Sequence, residues 1–193
     1  MAEWLLVILG YLLGTFPTAY LLGKRVLGKD IRKLGDFNMG ARNAYFEIGH
    51  KVGILIFFVD AAKGLIAVLV PQLLNASEPV ILATGVAVVA GHNWPVFLRF
   101  RGGRGEATTI GVLAALIPIP MLIIAVPTIL ILVVAKNVIA ASAVMFIGLP
   151  VVDRILGISG LMVIYGLVLP VLVALTHYFR VRNQQNTAHT GNA

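Results

Sequence analysis

Apolar residues along the chain fall into long blocks separated by short polar segments. The blocks at 4–22, 52–72, 80–98 and 158–176 each approach the roughly 20 residues that a helix needs to cross a bilayer, and a shorter one occupies 138–152. The stretch 107–135 is too long for one crossing and contains Pro118, Pro120 and Pro127, so it is expected to divide near Pro118. Its first piece, 107–117, is short for a full crossing and fits a half-helix whose N-terminus is aimed at an anion.

The polar segments set the sidedness. The loop 23–51 carries Lys24, Arg25, Lys29, Arg32, Lys33, Arg42 and Lys51, which places it in the cytoplasm by the positive-inside rule. The turn 73–79 has Glu78 and no basic residue and faces outside; the turn with Arg99, Arg101 and Arg104 returns to the first loop's side. Lys136 and Asn137 mark another cytoplasmic turn, Asp153 and Arg154 an outer one, and the tail from His177 carries Arg180 and Arg182. The pattern predicts an all-α integral membrane protein with seven transmembrane helices, the N-terminus outside and the C-terminus cytoplasmic. Residues 1–182 read as a single polytopic membrane domain and 183–193 as a polar, disordered tail. A five-span alternative merges the proline-containing piece, but it pushes Asp153 and Arg154 into the membrane or strands Lys136 outside.

Composition sharpens this. With 59% hydrophobic and 12% charged residues and a mean hydropathy of +0.96, the chain departs far from a soluble domain, where about a quarter of residues are charged. The net charge of +7 sits in short loops, so it reads as topogenic and anion-attracting rather than as a nucleic-acid footprint. The absence of cysteine excludes disulfides, thiolate nucleophiles and thiolate metal sites. The first block lacks a positive n-region and a small-residue cleavage site, and is expected to be retained. No internal repeat is visible.

Candidate chemistry gathers at four places. The run 100–111 packs glycines, Arg101, Arg104, Thr108 and Thr109 into a turn ahead of a helix, the composition of a phosphate cradle built from backbone N–H groups, or of a basic membrane-anchoring loop. The run 35–43 holds Asn38, Gly40, Arg42 and Asn43, a second candidate anion-binding turn whose plain reading is a polar connector. Asp60 and Lys63 lie three apart on one helical face within a span, where ionisable residues are functional by default, though an ion pair that only joins helices is the competing reading. His92, between Gly91 and Asn93, can hydrogen-bond an anion or take a proton. Histidine spacing offers no metal site, Trp94 suits an interface anchor, and Ser142 fits back-bonding to its own helix better than nucleophilic chemistry.

Taken together, Tyr11 to Tyr20, Asp30-Ile31-Arg32, the 35–43 turn, Asp60 to Gly64, Gly91 to Phe97 and Gly102 to Thr108 occur in the order and spacing of one bacterial family. The chain resembles the membrane glycerol-3-phosphate acyltransferase family that uses acyl-phosphate as donor, the PlsY family, most closely over 11–111. The resemblance implies seven spans in the bacterial inner membrane, an active site facing the cytoplasm, and synthesis of 1-acyl-glycerol 3-phosphate by direct transfer with no covalent enzyme intermediate. It implies catalytic roles for Lys63, His92 and Arg104. It also implies substrate contacts from Asn38, Gly40, Arg42, Asn43, Gly102, Gly103, Gly105, Thr108, Ser142 and His177. The partners are acyl-phosphate, glycerol 3-phosphate and membrane lipid, with no nucleic acid, metal or cofactor called for.

Departures fall inside the motifs. Asp36, Phe37 and Arg42 stand where the family usually has serine, glycine and threonine, and Arg104 and Glu106 where it has lysine and valine. A carboxylate in an anion cradle repels phosphate unless a cation neutralises it, and Arg42 and Arg104 are expected to do so for Asp36 and Glu106. Two other readings stay open at this stage: a non-catalytic relative that binds lipid or an anionic metabolite, and a small transporter suggested by the broken span.

Overall fold

The computed structural model describes residues 2–190, with side chains placed over residues 3–179. After a short 3-10 turn at Ala2–Trp4, the described residues form α1 (Leu5–Gly14), α2 (Thr18–Leu27), α3 (Ala41–Glu47), α4 (His50–Leu73), α5 (Glu78–Asn93), α6 (Glu106–Leu116), α7 (Pro118–Val134), α8 (Val138–Ile155) and α9 (Gly160–Thr190), with no strand among them. Five stretches are long and apolar enough to cross a membrane: Leu5–Leu27, His50–Leu73, Glu78–Leu98, Val138–Ile155 and Gly160–Phe179. Glu106–Leu116 and Pro118–Val134 are shorter apolar helices, and the boundary between them lies at the expected proline. The second of them carries exposed apolar side chains such as Leu122 and Val126, 71% and 70% exposed.

Three boundaries differ from the pattern reading. The first apolar block breaks after Gly14, because Pro17 cannot donate to a helix and disfavours helical geometry at Phe16. The chain restarts at Thr18 and stays helical past Lys24 and Arg25 to Gly28, whose φ of +65° forms a left-handed cap with its N–H on the Lys24 carbonyl. The connector after it contains its own helix, α3. Asp153 and Arg154 lie in the last turn of α8 rather than beyond it, and Asp153 is fully buried. The backbone of α9 continues helical to Thr190; the side chains of the polar tail and residues 191–193 lie outside the described residues.

Two helix pairs approach so closely that only glycine fits. On α1 and α5 the fit is reciprocal: a Cβ on Gly14 would run into the Val88 carbonyl, and one on Gly91 into the Tyr11 carbonyl. On α4 and α6, a Cβ on Gly64 would strike the Thr108 carbonyl and one on Gly111 the Ala61 carbonyl. Where lipid removes the hydrophobic drive between helices, such small-residue seams let backbones touch and give dispersion its full effect. The α4–α6 seam fixes the start of α6 against the turn of α4 that carries Asp60 and Lys63. The main apolar core, including Val68, Val88, Val112, Leu113, Leu149 and Leu169, lies behind it.

Candidate active site

The break between α1 and α2 is what completes the buried ion pair. It leaves the Gly14 carbonyl at a helix end without an intrahelical partner, and the Phe16 carbonyl in the break, where it accepts only the Thr18 N–H from the backbone. Lys63 Nζ donates to both at 3.2 Å and pairs with Asp60 Oδ1 at 3.0 Å. An ammonium has three donors, and here three acceptors use them. Asp60 also accepts the Thr18 hydroxyl at 3.1 Å, and His92 Nδ1 stands 3.9 Å from the same Oδ1. All four side chains are buried. Such a pair is tolerable away from water because the ammonium's remaining donors and one carboxylate oxygen find protein partners. The far edge of the imidazole faces the glycine turn: a Cβ on Gly103 would fall on His92 Nε2.

The first polar turn is wired mainly through side chains. Asp30 accepts the Arg32 backbone N–H at 3.0 Å and binds its guanidinium through both oxygens, which holds the Asp30 carboxyl below the usual carboxylate pKa. Arg32 then reaches the Leu98 and Arg101 carbonyls, both at 3.4 Å, and so ties the first loop to the second turn. Buried Asn43 spreads its amide over the Ile31, Leu34 and Asn38 carbonyls and accepts the Asp36 N–H at 3.1 Å. These bonds make Asn43 the loop's internal fastener. Asp36 Oδ1 caps the Asn38 N–H, while its Oδ2 takes Arg104 at 3.1 Å and Arg42 at 3.4 Å. Gly40 precedes α3, with Asn38 Nδ2 2.7 Å from where its Cβ would lie.

The second turn is wired through its backbone. The Gly102 N–H donates to the Asn93 carbonyl at 3.2 Å and the Gly103 N–H to the His92 carbonyl at 3.0 Å. The glycine amides expected to point outward as a nest are therefore paired back onto the end of α5. What remains for an anion is the start of α6, where Gly105, at φ +86°, supplies no side-chain cap and the first-turn amides have no intrahelical partner. Asn93, which donates to the Thr176 hydroxyl at 3.3 Å, presses its Oδ1 against the position a Gly105 Cβ would take.

Glu106 meets the Ser142 hydroxyl of α8, which also lies 2.9 Å from its own Val138 carbonyl. Arginine neutralisation thus holds for Asp36, whereas Glu106 finds a hydroxyl. His177 is exposed on α9 within electrostatic range of Arg104, Asp36 and Arg42. Among the described residues, Asn38 Oδ1, Arg104 Nε, Thr108 Oγ1 and Thr109 Oγ1 are buried polar atoms without a protein partner, at the two turns and the first turn of α6. Here the unfilled capacity comes from three adjoining elements beside Arg42 and Arg104, and is available to a ligand or solvent. Thr18 and Asn93 were not among the candidate site residues, and Thr109 was named only within the 100–111 run. Thr18 had a signal, since a hydroxyl just after a helix-breaking proline inside an apolar block seldom lacks a partner.

The sequence model of the family described as glycerol-3-phosphate acyltransferase matches residues 4–187. The chain belongs to that family. It is 48% identical over 181 residues to glycerol-3-phosphate acyltransferase 4 of Dehalococcoides mccartyi, covering 94% of this chain and 98% of the relative. It is 37% identical over 181 residues to the glycerol-3-phosphate acyltransferase of Geotalea daltonii, covering 94% and 93%. Its fold is similar to the crystal structure of PlsY (YgiH), an integral membrane glycerol 3-phosphate acyltransferase, in its glycerol 3-phosphate form. That match has a TM-score of 0.83 and 32% identity, and covers 99% of this chain and 94% of that one. Family membership makes the chain a membrane acyltransferase, and the buried polar cluster is where its chemistry is sought.

Proposed function

We propose that the protein transfers an acyl group from acyl-phosphate to the 1-hydroxyl of glycerol 3-phosphate, releasing phosphate and 1-acyl-glycerol 3-phosphate. The observation that carries the reading is the tying of two basic, glycine-rich turns together over the uncapped start of α6, with four unfilled buried polar atoms around them. Both proposed substrates bring phosphate, and the site offers cations and amides on that scale.

In this reading the 1-hydroxyl oxygen attacks the acyl carbonyl carbon, the bond from carbon to the phosphate oxygen breaks, and the hydroxyl proton passes through His92 to the leaving phosphate. Acyl-phosphate is already activated, so positioning and charge stabilisation supply the rate and no enzyme nucleophile is needed. Arg104 and the start of α6 take the charge of the departing phosphate; Asn38, Gly40, Gly102, Gly103, Gly105 and Thr108 shape its cradle. Ser142 and His177 border the acceptor, and Arg42, which shares the Asp36 carboxylate with Arg104, stands between the acceptor and donor sides. Asn43 holds the loop. Lys63, whose three donors are used inside the protein, acts by holding Asp60 and through it His92.

The proposed setting is a single polytopic domain over 1–182, with seven spans, the N-terminus outside, and the site open to the cytoplasm at a bacterial inner membrane. The loop cations support this orientation. The test is release of inorganic phosphate from palmitoyl-phosphate by the purified protein in lipid, with and without glycerol 3-phosphate. Acceptor-dependent release with matching formation of the acylated product is expected. Well-folded protein without it would overturn the donor and acceptor assignment.

A further inference from the structure

Beside the turns, between α3 and the α7–α8 connection, lies an open cavity of about 260 Å³ lined in part by Arg42, Phe46, Lys136, Asn137 and Ile139. It brings two cations from separate elements to one place. Lys136 comes from the connection, and Arg42 comes from α3, its guanidinium 5.5 Å from the Phe46 ring and in contact with Asp36. The walls mix charge with exposed apolar surface: Phe46 is 66% and Ile139 76% exposed. Nothing in the acyl-transfer reading above uses Lys136.

The ligand chemistry follows from this combination. Two cations match a phosphate monoester, which carries between one and two negative charges near neutral pH, better than the single charge of a phosphodiester lipid. A soluble phosphate would gain nothing from Phe46 and Ile139. The cavity is smaller than the roughly 300–1,000 Å³ of a site that encloses a drug-sized ligand, so it takes a head group and leaves a chain to run along the exposed flank of α7 and α8. Arg42 belongs both to this groove and, through Asp36, to the Arg104 side of the active site.

We propose that this groove is the lateral loading site for the lipid donor: Lys136 and Arg42 capture the phosphate of a single-chain acyl-phosphate at the membrane surface, and Arg42 passes it towards Arg104. The proposal rests on the donor reading given above.

The test uses the full chain in phosphatidylcholine nanodiscs with two probes. Dodecyl phosphate, a single-chain monoester that cannot transfer an acyl group, reports binding; palmitoyl-phosphate with glycerol 3-phosphate reports turnover. Lys136→Gln is expected to weaken dodecyl phosphate binding and raise KM for palmitoyl-phosphate by about fivefold, the effect of one surface cation on an anionic lipid head. The KM for glycerol 3-phosphate and kcat stay as in the parent, and Lys136→Arg retains parental values. Unchanged dodecyl phosphate affinity in Lys136→Gln overturns the proposal. So does a fall in kcat at constant donor KM, which marks product exit, or displacement of dodecyl phosphate by phosphatidylglycerol at equal mole fraction, which marks a bulk-lipid site. If the parent protein shows no acceptor-dependent transfer, the donor reading fails by itself, and the dodecyl phosphate measurement still decides whether the groove takes a monoester lipid.

Discussion

Two buried carboxylates, Asp60 on α4 and Asp153 on α8, are 2% and 0% exposed, and their surroundings have nothing in common. Asp60 gathers the Thr18 hydroxyl, the Lys63 ammonium and the edge of His92. Asp153, at the far end of α8 from Lys136 and Asn137, has both oxygens without a partner, with the position of a Gly166 Cβ 3.7 Å from one of them. Burial of a charge is therefore not in itself the sign of a site. What distinguishes Asp60 is that three elements supply partners to it and that one of them, His92, faces the glycine turn.

The largest effect follows from breaking the Asp60 constellation. Asp60→Ala leaves Lys63 as an uncompensated buried cation, and Lys63→Ala leaves the carboxylate; each is expected to cost about 3–5 kcal/mol of stability. The double variant leaves neither charge and should be less destabilised than the sum of the two singles, with a coupling of about 0.5–3 kcal/mol. Thermal unfolding of the four proteins in one lipid measures this. Additive losses would mean that the pair does not act as a unit, and would remove the contrast with Asp153.

Next in size is the link from that constellation to the turn. Gly103→Ala puts a methyl group on His92 Nε2, and Arg104→Ala removes the guanidinium nearest the start of α6. Each is expected to lower kcat/KM for acyl transfer by about 100-fold or more, the scale of a lost charge-stabilising donor or a misplaced proton carrier. Unfolding temperatures close to the parent would separate this from loss of fold. A Gly103→Ala protein with parental activity would show that the imidazole edge has no part in the reaction.

Asp36 stands between the two extremes, half-exposed and bound by two arginines. Its carboxylate occupies the guanidinium positions that a phosphate would use. Asp36→Ser is expected to lower KM for a phosphate-bearing substrate by about three- to tenfold, since one bound anion no longer competes with another at a cost of about 1 kcal/mol. Steady-state kinetics with each substrate varied in turn reads this out. A rise in KM would instead identify Asp36 as the residue that aims Arg42 and Arg104.

Much of this contrast was visible along the chain. The i, i+3 spacing of Asp60 and Lys63, the split at Pro118 and the ordered glycine motifs are local properties, so the sequence carried them directly. The filling of Lys63 was not visible, because it depends on Gly14 and Phe16, some fifty positions away, and on a helix break that the apolar run conceals. The direction of the Gly102 and Gly103 amides was equally hidden: a glycine-rich turn has the same composition whether its N–H groups face a ligand or fold back on α5. Asp153 looked like a turn residue because a charge next to Arg154 marks a loop in a hydropathy pattern. The burial comes from α9 packing across the last turn of α8, a tertiary event. Glu106 was paired with the wrong group for the same reason, since Ser142 lies on another helix.

The smallest effect on activity belongs to Asp153, and it tests the comparison from the other side. Asp153→Val replaces a carboxyl group that has no partner with an apolar group of similar size. Removing a buried polar group that makes no hydrogen bond usually gains about 1–3 kcal/mol, so the variant should unfold at a higher temperature than the parent. Its kcat/KM should stay within about twofold, because additivity holds for positions that share no partners with the site. The two readouts must move apart, stability upward and activity nowhere. An activity loss beyond tenfold in a well-folded Asp153→Val protein would mean that the far end of α8 takes part in the reaction, and that an unpartnered buried carboxylate was as strong a signal in this fold as the fully wired one.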